Sequence, residues 1–138
     1  MDKITVIIGD AESGKTMKAK EIASSYEEEN VVWYDGRLFN KKLYRYGTYF
    51  FFSRCNLNTE LVILDDFKDV SNIEMFYSYA EDGIAVEKQG KDPFIIHPKI
   101  IIGCSSEVSI SALPLESISF KRRALIINCN DGIKKLSS

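Results

Sequence analysis

The sequence predicts an α/β fold of three layers: a mostly parallel five-stranded central sheet carrying a phosphate-binding loop, helices on its faces, and an inserted β-hairpin. Three observations predict it. Short apolar runs recur along the chain and end in acids, glycine or small polar residues, the pattern of strands buried on both faces. The first run, Ile4-Thr5-Val6-Ile7-Ile8, leads directly into Gly9-Asp10-Ala11-Glu12-Ser13-Gly14-Lys15-Thr16 and then into a helix-forming segment. That is the context a G-x-x-x-x-G-K-[ST] loop requires. Finally, 138 residues suit one domain with one core and are too few for a multidomain enzyme.

The composition sets limits on function. Hydrophobic residues at 45% and charged residues at 28% are ordinary for a globular domain, so disorder is excluded. A net charge of −2 gives no global basic field, so nucleic-acid contact has to come from a local patch or an assembled ring. Cys55, Cys104 and Cys129 are odd in number and lack metal-ligand spacing, which reads as reduced thiols in a cytoplasmic protein. No apolar run approaches a membrane span, and Met1-Asp2-Lys3 leads into a core strand without a signal peptide, so the expectation is a protein that is neither membrane-bound nor exported.

In the loop, Gly9 and Gly14 let the backbone curl so that the N–H groups from Gly9 to Met17 can face phosphate oxygens at a helix N-terminus. Lys15 is placed to reach the β- and γ-phosphates, and Thr16 to offer its hydroxyl to Mg²⁺. Residues 15 to 28 then read as a helix with Met17, Ala19, Ile22, Ala23 and Tyr26 toward the sheet. Val31-Val32-Trp33-Tyr34, closed by Asp35-Gly36, reads as the second strand, parallel to the first through a right-handed crossover. Residues 37 to 60 begin with helical spacing, while Tyr49-Phe50-Phe51-Phe52 has no clear period. Core packing is preferred there to a base-stacking platform.

Leu61-Val62-Ile63-Leu64-Asp65-Asp66 reads as a buried strand with two acids at its C-terminal end, where α/β sheets place ligands. This is a Walker B pattern. Asp65 suits the metal, and Asp66 suits orienting or deprotonating a water. Ser71 as N-cap with Glu74 as capping-box partner predicts a helix to Asp82 with Ile73, Phe76, Tyr77 and Ala80 inward. Ile84–Glu87 and Pro93–Ile96 flank a polar segment bearing Lys88 and Lys91, which predicts a hairpin that projects from the sheet without extending it. Ile100-Ile101-Ile102-Gly103-Cys104 reads as another buried strand that ends at Ser105 and Ser106, on the side of the loop. A loop and short helix over residues 107 to 119 broken by Pro114, the pair Arg122-Arg123, the last strand Ala124–Cys129 and a polar tail complete the chain.

In this order the motifs resemble the AAA+-type core of superfamily 3 helicases, an ASCE/AAA+-like P-loop NTPase, and in particular the helicase domain of rolling-circle replication initiators of small single-stranded DNA viruses. Leu64-Asp65-Asp66-Phe67 resembles their Walker B, Ala85 to Lys91 with Phe94 their B-prime hairpin, and Lys99 to Ser105 their motif C. The resemblance implies ATP hydrolysis with Mg²⁺, translocation along single-stranded DNA or RNA, and a homo-oligomeric ring, usually a hexamer. It further implies backbone contacts from Lys88 and Lys91, and a γ-phosphate finger supplied in trans by Arg122 or Arg123. Motif C ends in asparagine in the family and in Ser105 here, which puts coupling of hydrolysis to movement in question. The family's helical oligomerisation segment and its nuclease or origin-binding domain normally precede this core. Replication partner proteins are expected to supply them, unless the molecule is a reduced ATPase. The competing readings are a small nucleotide kinase, a DNA-packaging or assembly ATPase, and a module whose assembly nucleotide regulates.

Overall fold

The structure, a computed structural model, describes residues 3–39, 51–70, 73–131 and 135–136. Its strands are β1 (Ile4–Ile8), β2 (Val31–Asp35), β3 (Leu61–Phe67), β4 (Ile84–Val86), β5 (Phe94–Ile96), β6 (Lys99–Cys104), β7 (Ala124–Asn128) and β8 (Lys135–Leu136). The main sheet has the order β2-β3-β6-β1-β7-β8. Its first five strands pair in parallel, with Ile4 opposite Ile100 and Ala124, Val31 opposite Leu61, and Leu61 opposite Lys99. The two-residue β8 adds antiparallel to β7.

These strands are continuous apolar runs because both faces are covered. Val6, Ile8, Val62, Leu64, Ile100 and Ile102 belong to one buried cluster, and Ile7, Leu61, Ile63, Ile101 and Ile127 to another. The split follows the two-residue alternation of side chains across a strand. Helix α1 (Lys15–Ala23) covers the second cluster with Ala19, Ile22 and Ala23. Helices α2 (Met75–Asp82) and α3 (Ile118–Arg123) cover the first with Phe76, Ala80 and Phe120.

Several expectations need correction. Helix α1 ends at Ala23 and not near residue 28, because the Ser24 and Ser25 hydroxyls donate to the Glu21 and Ile22 carbonyls at 2.6 and 2.9 Å and draw the backbone out of the helix. Met17 does not face the sheet; it is 69% exposed. Glu74 occupies the N-cap of α2 in helical geometry, and its side chain makes no bond to the first turn of that helix. Its expected partner Ser71 lies outside the described residues.

The helix expected after residue 37 also falls largely outside them, as do Tyr49 and Phe50; within them Gly36–Leu38 is a 3-10 turn. Phe51 and Phe52 are core: Phe52 is 1% exposed, and the two rings meet Tyr34, Phe39 and Tyr79 at centroid distances of 4.6 to 6.1 Å. Strands β4 and β5 pair antiparallel as a separate two-stranded sheet, with Ile84 opposite Ile96. Ile84, Val86 and Ile96 are buried in the first cluster, so this pair lies against the body and does not project from it. No helix among the described residues is long and apolar enough to cross a membrane.

Candidate nucleotide site

The five parallel strands have their C-terminal ends along one edge of the sheet. After β1 the backbone turns at Ser13, whose N–H donates to the Asp10 carbonyl at 3.2 Å. Glu12 takes a left-handed φ of 64° and Gly14, the N-cap of α1, one of 95°. Gly14 carries no capping side chain, so the N–H groups of the first turn of α1 are left to bind an anion. The Lys15 ammonium folds into the turn and donates to the Gly9 and Asp10 carbonyls at 2.6 and 2.7 Å. Its charge also acts on the thiols of Cys104 and Cys129, at the ends of β6 and β7.

Asp65 reaches the loop from two strands away. The Thr16 hydroxyl lies 3.3 and 3.4 Å from its two carboxylate oxygens. This separation suits Mg²⁺: ligands at about 2.0–2.1 Å in neighbouring octahedral positions stand about 2.9 Å apart, and both donors are hard oxygens. Among the described residues no group of three or more His, Cys, Asp or Glu side chains could hold a metal. Mg²⁺ needs none, since one or two protein oxygens with phosphates and waters complete its shell.

The acidic pair splits because β3 loses register with β6 between Leu64 and Phe67, and Asp66 takes a left-handed φ of 61°. Asp65 therefore turns to Thr16, and Asp66 turns to Arg37, whose Nε stands 3.6 Å from its carboxylate. Arg37 is fixed mainly by Asp35, to which Nε and Nη2 donate at 3.0 and 2.7 Å. Those bonds hold the Asp35 carboxyl below the usual carboxylate range. Asp35 and Arg37 border an open cleft of about 440 Å³ together with Asp65 and Asp66. Neither was singled out in the sequence, because the parallel register that sets Asp35 beside Asp65 is a property of the sheet. Asn130, whose Oδ1 accepts from the Asp10 N–H at 2.9 Å across 120 residues, gives no sequence signal at all.

Ser105 follows β6, between the loop strand and the acidic strand, and is 3% exposed. Its N–H donates to the Phe67 carbonyl at 2.8 Å and its hydroxyl accepts from the Glu107 N–H at 3.4 Å. The remaining candidates stand apart. Arg123 is committed within the chain: it pairs with Glu81, donates to the Ser119 carbonyl at 3.0 Å and lies over the Tyr77 ring at 5.4 Å. Arg122 is exposed. Lys88 and Lys91 sit on the β4–β5 connection, Lys88 half-buried with its charge acting on the Cys55 thiol and Lys91 exposed. No hydrogen bond or ion pair among the described residues joins either lysine to the loop. No family model and no curated protein matches the chain.

Proposed function

We propose that the chain is a magnesium-dependent nucleoside triphosphatase, hydrolysing ATP in the manner of the AAA+-type core of superfamily 3 helicases. One observation carries the reading: the Lys15 loop and the Asp65 strand tip meet at the same sheet edge, with Thr16 and Asp65 in contact. When bound, Mg²⁺ would be held by Thr16 and Asp65 and would supply positive charge to offset the negative charge that develops on the transferring phosphoryl group. Lys15 exchanges its two carbonyl partners for β- and γ-phosphate oxygens. Asp66 orients a water and takes its proton as the water oxygen attacks the γ-phosphorus and the bond to the leaving ADP oxygen breaks. Ser105, between loop and acids, is the group nearest in the fold to a γ-phosphate sensor.

The finer reading is a homo-oligomeric ring, hexameric by the family likeness, that moves on single-stranded DNA or RNA in viral, phage or plasmid replication. It assigns the trans finger to Arg122, since Arg123 is engaged by Glu81 and Ser119. The same engagement weighs against a nucleotide kinase, which would need both arginines over the phosphates. A module assembled by nucleotide without turnover is the second reading, favoured by the Arg37 contact that holds Asp66.

Phosphate release, measured against protein concentration with and without single-stranded DNA, separates these. The ring ATPase gives specific activity that climbs with concentration and is stimulated by DNA. Concentration-independent activity requiring a small acceptor overturns it in favour of a kinase, and binding without release favours the assembly module.

A further inference from the structure

Sheet order gives a triphosphate a direction across the loop. β1, which feeds the loop, lies between β6 and β7, and β3 with Asp65 lies beyond β6. With the metal-bound end at Thr16 and Asp65, the phosphates run away from β3, and the nucleoside leaves on the β7 side. There the structure holds an open cleft of about 570 Å³, inside the range of about 300–1,000 Å³ common to small-molecule sites. Ser13 from the loop, Met17, Lys18 and Glu21 from α1, and Cys129 beyond β7 line it.

Its chemistry fits an aromatic base on a sugar. Met17 follows Thr16 directly and exposes 69% of its surface, an apolar, polarisable side chain of the kind that packs well against a ring. Cys129 brings a second soft, apolar surface from a different element and abuts the loop, its Cβ 3.1 Å from where a Cβ on Gly9 would stand. The polar wall is balanced, because Lys18 pairs with Glu21 at 3.3 Å. The Ser13 Oγ is buried against Gly9 and finds no hydrogen-bond partner among the described residues, so the loop wall of the cleft keeps an unspent polar atom behind its surface.

We propose that this cleft holds the base and ribose of the nucleotide, with Met17 and Cys129 as the residues that contact the nucleoside. The proposal rests on the phosphate-loop reading, and its test uses two ligands that share phosphates and differ in the nucleoside: ATP and inorganic tripolyphosphate, each with Mg²⁺, titrated into the full chain. Met17→Ala should weaken ATP about fivefold to tenfold, the worth of one lost apolar contact, and leave tripolyphosphate unchanged. Met17 is on the surface, so the fold does not depend on it.

A second readout needs no substitution. Cys55 and Cys104 are buried and Cys129 is not, so iodoacetamide should label Cys129 first, and ATP should slow that labelling where tripolyphosphate does not. If Met17→Ala binds ATP as the parent does and labelling ignores ATP while both ligands still bind, the cleft assignment is overturned and the loop reading stands. If neither ligand binds the parent chain, the loop reading falls and this proposal with it.

Discussion

Gly36→Ala tests how the acidic strand tip is held. Gly36 is buried where β2 passes into its 3-10 turn, and a Cβ there would lie 2.6 Å from the Asp65 carbonyl oxygen, 2.8 Å from the Phe67 nitrogen and 2.9 Å from the Phe67 Cα. Ordinary contact begins at 3.4 Å, and every obstructing atom is backbone of β3, with no flexible side-chain end to swing aside. β2 and the end of β3 must therefore separate by several tenths of an ångström. Overpacking of this kind costs about 1–3 kcal/mol. Alanine narrows the unfolded ensemble and returns about 0.4–1 kcal/mol.

The two ranges leave a net loss centred at about 1.3 kcal/mol, read as a lower urea midpoint or a Tm drop of about 3–8 °C. The same displacement moves Asp65, which now sits 3.3 Å from the Thr16 hydroxyl. Half-saturation of ATP turnover should then require several-fold more Mg²⁺. A variant within about 0.5 kcal/mol of the parent, the scatter of neutral surface changes, with an unchanged Mg²⁺ requirement would refute the close approach of Gly36 to β3.

Further outcomes follow from the same geometry. Arg123→Ala should lower the urea midpoint, because it strips Glu81, the Ser119 carbonyl and the Tyr77 ring of their partner, whereas Arg122→Ala should leave the midpoint unchanged and abolish the concentration-dependent part of ATP turnover. Burial pushes the Cys104 thiol from 9.0 up to about 12. The native state keeps this proton where the unfolded chain releases it, so the stabilisation is complete below pH 9 and lost as pH rises toward 12. Urea midpoints under reducing conditions should fall across that window, and less steeply for Cys104→Ala. A parallel decline in both proteins would locate the titration elsewhere. Replacing Lys88 and Lys91 with alanine should weaken single-strand affinity and flatten its salt dependence, and unchanged binding would remove the translocation reading.

The five parallel strands are legible in the sequence because a strand covered on both faces must be apolar throughout, as Leu61–Leu64 and Ile100–Ile102 are. The turn from β1 into α1 is legible because Gly14 stands where the N-cap of α1 takes a left-handed φ of 95°. Helix ends are less so. Ser24 and Ser25 divert the chain through side-chain bonds that compete with the helix, and the exposed Met17 shows that apolar spacing does not by itself fix which face is buried. The surroundings of the acidic pair are illegible for a different reason. Asp35 and Arg37 come to Asp66 only through strand register and a bulge, and Asn130 comes to Asp10 only through the order β6-β1-β7. The parting of Asp65 from Asp66 likewise depends on one left-handed residue that no composition rule marks.

Calorimetric titration of ATP into the full chain, with Mg²⁺ and with chelator, tests most directly whether the Lys15 turn and the Asp65 tip form one site. The expected result is saturable heat with Mg²⁺ that is lost in Lys15→Ala, and an affinity in Asp65→Asn that no longer responds to Mg²⁺. Equal heats from the parent and both variants, or no heat in the parent, would contradict a triphosphate site at this edge of the sheet.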